Sequence, residues 1–515
     1  MKTADVILKN ANVITIDAGQ PSAEAVAISG EKIIMVGCNA DVETAAIAGT
    51  RIIDCAGGTV VPGFNDAHLH LFSLMKKQIS VDLSPAAVSS IEDIKQTIRR
   101  KAENTPSGSW ISGTDYNEFY LAEKRFPTCR DIDEVAPDHP VILSHRSLHA
   151  CVLNSLALEM AGIGMETEEP PGATIERDPT TGEPNGVLYE MLSDIRGRVV
   201  PPMTSAELDE AAGLVNNLFL SNGITSFQEA TYRNDLGRWQ TVSELIGAGK
   251  LQSRVNMMAG TDFWKQFQEA GLVSGSGDNR LRLGGVKVMV TRTSGKFNPP
   301  AEELKRLALD IHRARFQLAC HAEEEDVIET VIETLEYVNS IQPVAESRHR
   351  IEHCAECTPR LLKRLPELGV VIVNQPPFIY YSGERFLATV EPAILPWMYR
   401  IRSPMEIGLT VAGSSDTPVV PLSPLAGIYA AVTRKTESGQ DFQPEEAISP
   451  LRALAMYTVN AAYASFEEDM KGSITPGKLA DMVVLGDDPA RVPPEQIKDI
   501  KVDMTIIGGE VVWER

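Results

Sequence analysis

The sequence predicts an α/β protein built from a (β/α)8 TIM barrel, a small split β-sandwich and an inserted α+β lid domain. Three observations predict it. From residue 211 onward, short apolar runs alternate with amphipathic helical stretches, the pattern of repeated βα units around a parallel sheet. Both ends of the chain share another texture, β-branched and alternating, punctuated by Gly and Asn. Between the first and second barrel strands lies a long stretch that a barrel does not need.

In chain order, "DVILKNANVITID", "AVAISGEKIIMVG" and "RIIDCAGGTVVPG" read as short strands. Their texture returns only in "ADMVVLGDD" and "VDMTIIGGEVVWER", so residues 1–58 and 469–515 are expected to assemble one sandwich. Segment 59–77 carries barrel strand one, expected over 59–66. Residues 78–210, with the Gly/Pro-rich "EEPPGATIERDPTTGEPNG", are read as the inserted lid or substrate domain. The barrel remainder, 211–468, supplies seven more strands: "GITSFQEA", "RVNMMAG", "LGGVKVMV", "FQLACHA", "RHRIEHC", "VVIVNQP" and "LTVAGSSD". Stretches such as "PAEELKRLALDIHRARF" and "EEDVIETVIETLEYV" carry apolar residues at helical spacing and suit the crossovers.

Bulk properties narrow the function. With 515 residues there is ample material for a buried site, and a net charge of −22 disfavours nucleic acid or an anionic membrane as partner. The first residues lack the apolar core of a signal peptide and no run reaches the length of a membrane span, so the cytoplasm is the expected location. Seven cysteines scattered over the chain read as reduced thiols, and "CAEC" at 354–357 lacks the second pair that a zinc site needs. A homodimer is the base-rate expectation for assembly.

The chemistry starts from "VVPGFNDAHLHLF". His68 and His70, one residue apart on a strand, point to one side and can converge on one ion. A single such pair is more often structural than metal-binding, so the test is whether other ligand types fall at equivalent strand ends, where TIM barrels place reactive groups. They do: His321 ends strand five, His353 ends strand six and Asp416 ends strand eight, which places four of nine histidines at matched positions. Imidazoles plus a carboxylate suit Zn²⁺ and its first-row neighbours Mn, Co, Ni and Fe. Lys287 lies within apolar strand four, where an ammonium is costly unless paired or neutralised. A structural salt bridge is one reading. A neutral lysine that captures carbon dioxide as a carbamate is the other.

With those six residues the chain resembles the amidohydrolase superfamily, and "HPVILSHRSLHACVLNSLAL", "RDPTTGEPNGVL", "GSSDTPVVPLSPLAGIYAAVTRK" and "KGSITPGKLADMVVL" are similar to its amidohydrolase family 3 branch, which includes N-substituted formamide deformylases. The resemblance implies a binuclear centre: His68, His70 and Asp416 on one divalent ion, His321 and His353 on the other, with carbamylated Lys287 and a hydroxide between them. It implies a metal-dependent hydrolase of non-peptide C–N bonds in a small molecule, with Asp416 as proton shuttle. Two departures bear on specificity: the chain has "HAEEED" after strand five and "KVMVTRTSG" on strand four where the branch carries other residues. The rival readings are a mononuclear metal deaminase, separated by metal content, and a non-catalytic scaffold of the same fold.

Further candidates admit structural readings too. The resemblance places "LSHRSLHAC" over the active site, so His149 and His145 are candidate donors to a substrate carbonyl or oxyanion. Phe378, Tyr380 and Tyr381, expected in a long loop after strand seven, and Trp110 and Tyr116 in the insertion are candidate walls for an apolar substrate. Arg402 is a candidate partner for a substrate carboxylate. Gln228, Glu229 and Glu352 are candidate orienters of the metal ligands.

Overall fold

The computed structural model describes residues 3–293 and 296–515. The chain divides into two compact units: Met1–His70, Asn216–Thr291 and Pro299–Arg515 form the first, and Leu71–Val215 with Arg292–Asn298 the second.

The first unit holds the barrel and the sandwich. All eight expected barrel strands form, in the order Phe64–Leu69, Ile224–Glu229, Arg254–Gly260, Leu281–Met289, Leu318–Ala322, Arg350–His353, Val371–Asn374 and Thr410–Gly413. Every neighbouring pair along that sheet is parallel. The last strand returns beside the first, and the barrel closes through polar contacts beyond the ladder. Asp416 N donates to His68 O at 2.9 Å, and the Asp66 carboxyl accepts from Ser415 N at 3.1 Å. Burial raises the Asp66 carboxyl to about 7. Helices Ala301–Arg313 and Glu325–Ile341 follow the apolar spacing seen in the sequence.

The sandwich draws on both ends of the chain. One sheet joins Lys32–Gly37, Ala25–Ser29, Val6–Lys9 and Arg51–Asp54. The other joins Glu510–Glu514, Val502–Ile507, Met482–Leu485, Thr59–Pro62, Asn12–Ile14 and Ser22–Ala23. Leu8, Val26, Val60, Met482 and Ile506 share its core. Arg254, on barrel strand three, donates to Asp481 through Nε and Nη2 at 2.8 and 3.0 Å, which ties barrel to sandwich.

The strand expected over 59–66 breaks at Gly63. Thr59–Pro62 pairs with sandwich strands on both sides, and only Phe64–Leu69 belongs to the barrel. A Cβ on Gly63 would lie 2.1 Å from Thr225 Oγ1, so glycine lets the chain pass from one sheet to the other. The insertion also starts earlier and ends later than 78–210. Helix Leu71–Gln78 buries Leu71, Leu74 and Met75, and the second unit runs to Val215, inside helix Ser205–Ser221.

The second unit is built on a six-stranded mixed sheet, ordered Thr174–Arg177, Pro184–Tyr189, Ala150–Leu153, Val141–His145, Ile111–Tyr116 and Val81–Asp82. It has two apolar clusters, one around Ile94, Ile98, Tyr116 and Leu143 and one around Ile142, Cys151, Leu188 and Ile195. Among the described residues no helix is long and apolar enough to cross a membrane.

Candidate metal centre

His68, His70 and Asp416 converge as the strand alternation requires. Their ligand atoms lie within 4.8 Å of one another, with His70 Nε2 3.0 Å and His68 Nε2 3.5 Å from Asp416 Oδ1. Lys287 is buried and places Nζ 3.2 Å from His68 Nε2. The His353 ring stands 5.1 Å from that of His68 and 4.5 Å from that of His321, centroid to centroid. Five strands of the barrel thus bring all six candidate residues to one end of its interior.

Two of them get there by leaving regular strand geometry. Glu352 and His353 are consecutive and should face opposite ways, yet both face His68. His353 has φ +70° and Cys354 φ +51°, and this left-handed turn swings the imidazole inward. Asp416 has φ +57°. Such backbone is strained for residues other than glycine and concentrates at functional sites.

The histidines share a bonding pattern. His68 Nδ1 lies 2.5 Å from Glu352 Oε2, His70 Nδ1 3.1 Å from Thr231 Oγ1, and His353 Nδ1 2.9 Å from Gln375 Oε1. With a carboxylate or amide oxygen accepting from Nδ1 of His68 and His353, the proton sits there and the Nε2 lone pair is left for another partner. Glu352 is itself gripped by Arg350, whose Nε donates at 2.7 Å and Nη2 at 3.1 Å. Arg350 also donates to Gln228 Oε1, which explains the buried glutamine. Glu229 acts one step further out, accepting from Thr231 N at 2.9 Å. Gln375 and Thr231 were not singled out in the sequence. Their signal is a polar side chain one residue beyond strand seven or two residues beyond strand two.

Electrostatics follow from burial. Desolvation, helped by the nearby Lys287 charge, holds the His68 imidazole well below its usual value, and desolvation lowers His353 to about 4. Burial also lowers Lys287, against the pull of Glu352 and Asp416. For Asp416, burial acts upward but is outweighed by the His70 hydrogen bond and the His68 and His70 charges, so the carboxyl stays below the usual range. Its Oδ1 is buried between two imidazoles, 3.0 Å from His70 Nε2 and 3.5 Å from His68 Nε2. Imidazole nitrogens, a buried carboxylate and a buried lysine brought together at one place form a donor set that fits divalent metal.

The other candidates take different places. Residues 377–389 are a helix, Pro377–Thr389, where a loop was expected, because proline is tolerated in the first turn and Phe378, Ile379 and Phe386 bury along one side. Phe378 packs 5.6 Å from Tyr399 in an apolar cluster, and Tyr380 packs against Tyr381 and Tyr429. Arg402 is half-exposed and ion-paired with Glu406 at 2.6 Å. In the second unit Tyr116 is fully buried in the core, which removes it as a pocket wall, and Trp110 packs on the cluster around Ile142. His145 lies between Glu118 and Ser147, and His149 Nδ1 lies 2.8 Å from Glu190. Of the strand-four departure, Ser294 and Gly295 lie outside the described residues.

Comparison with known proteins places this geometry in a family. The model of the amidohydrolase family matches residues 51–513. The chain is 30% identical to N-substituted formamide deformylase of Arthrobacter pascens, over 99% of this chain and 98% of that protein. An uncharacterized metal-dependent hydrolase from Pyrococcus horikoshii shares the fold with a TM-score of 0.76 at 23% identity, covering 95% of this chain and 99% of that one. Atrazine chlorohydrolase from Arthrobacter aurescens, solved with zinc, shares it at a TM-score of 0.55 and 14% identity, covering 99% and 95%. Since the family model spans nearly the whole chain and the deformylase aligns with it almost end to end, the chain belongs to the amidohydrolase family.

Proposed function

We propose that the protein hydrolyses a non-peptide C–N bond of a small molecule, an N-formyl or N-acyl amide with an apolar portion. In this reading His68, His70 and Asp416 hold one divalent ion, His321 and His353 a second, and carbamylated Lys287 serves both, with zinc the first choice. The observation that carries it is the set of Nδ1 contacts on His68 and His353, together with the approach of His68 Nε2 to the Lys287 amine at 3.2 Å and to Asp416 Oδ1 at 3.5 Å. The deformylase relative supports the bond class and the zinc-complexed neighbour the metal.

When bound, the ions supply an activated water and polarise the substrate carbonyl. The chain's own groups do the rest. Asp416 accepts the proton of the attacking water at a carboxylate oxygen and returns it to the departing amine nitrogen as the C–N bond breaks. Glu352, held by Arg350, keeps the His68 proton on Nδ1. Lys287, held below the ordinary lysine value by burial, would add carbon dioxide through its deprotonated amine and release a proton.

The reading is tested by screening the metal-loaded protein against N-formyl, N-acyl, urea and cyclic amide substrates, with metal content measured on the same sample. Turnover of an N-formyl or N-acyl amide is expected, at two metal equivalents per chain. Turnover confined to an amino-purine or similar deamination substrate, at one equivalent, would favour the deaminase instead.

A further inference from the structure

Arg196 of the second unit is electrostatically anomalous. It sits on helix Leu192–Arg198, whose Leu192 and Ile195 are buried in the apolar cluster that includes Ile142 and Cys151. Its Nη2 donates to Ser144 Oγ at 2.8 Å, while its Nε is buried with no hydrogen-bond partner. Among the described residues no carboxylate is ion-paired with it, and the side chain is neither fully buried nor exposed. Ser144 stands opposite Cys151 in the sheet, so the surface around the guanidinium is a hydroxyl, a thiol and apolar side chains. Burial pushes that thiol up to about 12, so it supplies no negative charge.

A second cation feels the Arg196 charge. Lys76, on helix Leu71–Gln78, is held below the ordinary lysine value by burial and then by the Arg196 charge. Lys76 also has no carboxylate in ion-pair contact among the described residues. Glu207, the acid whose field reaches it, spends its carboxylate on Thr204 N and Oγ1 at 2.8 and 2.9 Å. A chain of net charge −22 therefore keeps two mutually repelling cations that have no ion-paired carboxylate among the described residues. Arginine stays protonated, and a desolvated charge without an ion-pair partner is destabilising. An anion that arrives from solution removes that cost.

We propose that Arg196, with the Ser144 hydroxyl beside it, is a binding site of the second unit for a small carboxylate carried on an apolar body. A guanidinium edge matches the two oxygens of a planar carboxylate. The apolar cluster on which the Arg196 helix packs, with Trp110, Leu148 and Val199 only partly buried at the edge, favours a ligand that brings its own apolar surface.

Isothermal titration of the metal-loaded full chain with benzoate, benzamide and inorganic phosphate tests this. Benzoate is expected to bind at least about tenfold more tightly than benzamide. Arg196→Met is expected to remove that binding, whereas Asp416→Asn leaves it in place. Met keeps the length of the side chain without the uncompensated charge, so the thermal midpoint of Arg196→Met should be equal or higher. Should Arg196→Met fail to fold, Ser144→Ala decides: weakened benzoate binding supports the site and unchanged binding overturns it. Benzoate binding that survives Arg196→Met but is lost in Asp416→Asn would overturn the site and assign the ligand to the metal centre. Absence of benzoate binding overturns it as well, as does phosphate binding more tightly than benzoate.

Discussion

Glu352 shows how much of the candidate site depends on residues that never face a substrate. Its carboxylate fixes the proton of His68 while Arg350 holds it from behind. Glu352→Gln is expected to weaken metal affinity by about 10- to 100-fold, the usual cost of losing a ligand's orienting partner. Chelator competition reads this, and unchanged affinity would contradict the role given to Glu352. A second buried pair sits at the start of strand six. Leu318 N donates to His349 Nδ1 at 3.0 Å, His349 Nε2 lies 2.9 Å from His312 Nδ1, and His312 Nε2 lies 2.9 Å from Gln342 O. One proton per ring satisfies all three contacts, which leaves the His349 ring neutral. Burial, then the His312 charge, lowers His349 to about 3. The unfolded side chain titrates near about 6.5, so between these values the unfolded chain binds more protons. The contribution is complete above about pH 6.5 and is lost as pH falls, at about 1.4 kcal/mol per unit. The stability advantage of wild type over His349→Leu should therefore shrink by about 2 kcal/mol from pH 7 to pH 5 in urea denaturation. A constant difference would contradict a neutral His349. At this scale the sequence exposed the six candidate ligands, because ligand types at strand ends are visible as letters. The orienting roles of Thr231 and Gln375 were not visible, since they depend on which side chains meet across strands.

The elements that carry these residues were legible where periodicity speaks and illegible where the backbone departs from it. Eight apolar runs sufficed to count the barrel strands, since each is short, β-rich and followed by helical spacing. The split of 59–69 into a sandwich strand and a barrel strand was hidden, because "TVVPGF" is uniformly apolar and both sheets want such residues. Gly63 is the physical marker of that split. Gly63→Ala puts a Cβ 2.1 Å from Thr225 Oγ1 and 2.7 Å from Thr225 Cβ. It is expected to destabilise by about 1–3 kcal/mol, the range for overpacking, and Thr225→Gly in the same chain should recover part of the loss. A thermal melt checks both, and an unaffected Gly63→Ala would show that the crossing point is looser than the packing implies. Residues 377–389 were misread for a related reason: two prolines suggest a loop, but at the head of a helix they cost little.

For the whole molecule, family membership and the donor set point to metal-dependent hydrolysis, with the two ends of the chain building a sandwich and the middle building the barrel. The boundaries of the second unit escaped sequence reading because helix Leu71–Gln78 continues straight from "HLH" without a break in composition. In the proposed function His68, His70, Lys287, His321, His353 and Asp416 form one hydrolytic centre in which Asp416 moves the proton. The rate of amine release from an N-substituted formamide, measured on wild type and Asp416→Asn at equal metal content, tests it most directly. A fall in kcat of about 10²- to 10⁴-fold with the fold intact is the predicted result. Equal rates in the two proteins would contradict it.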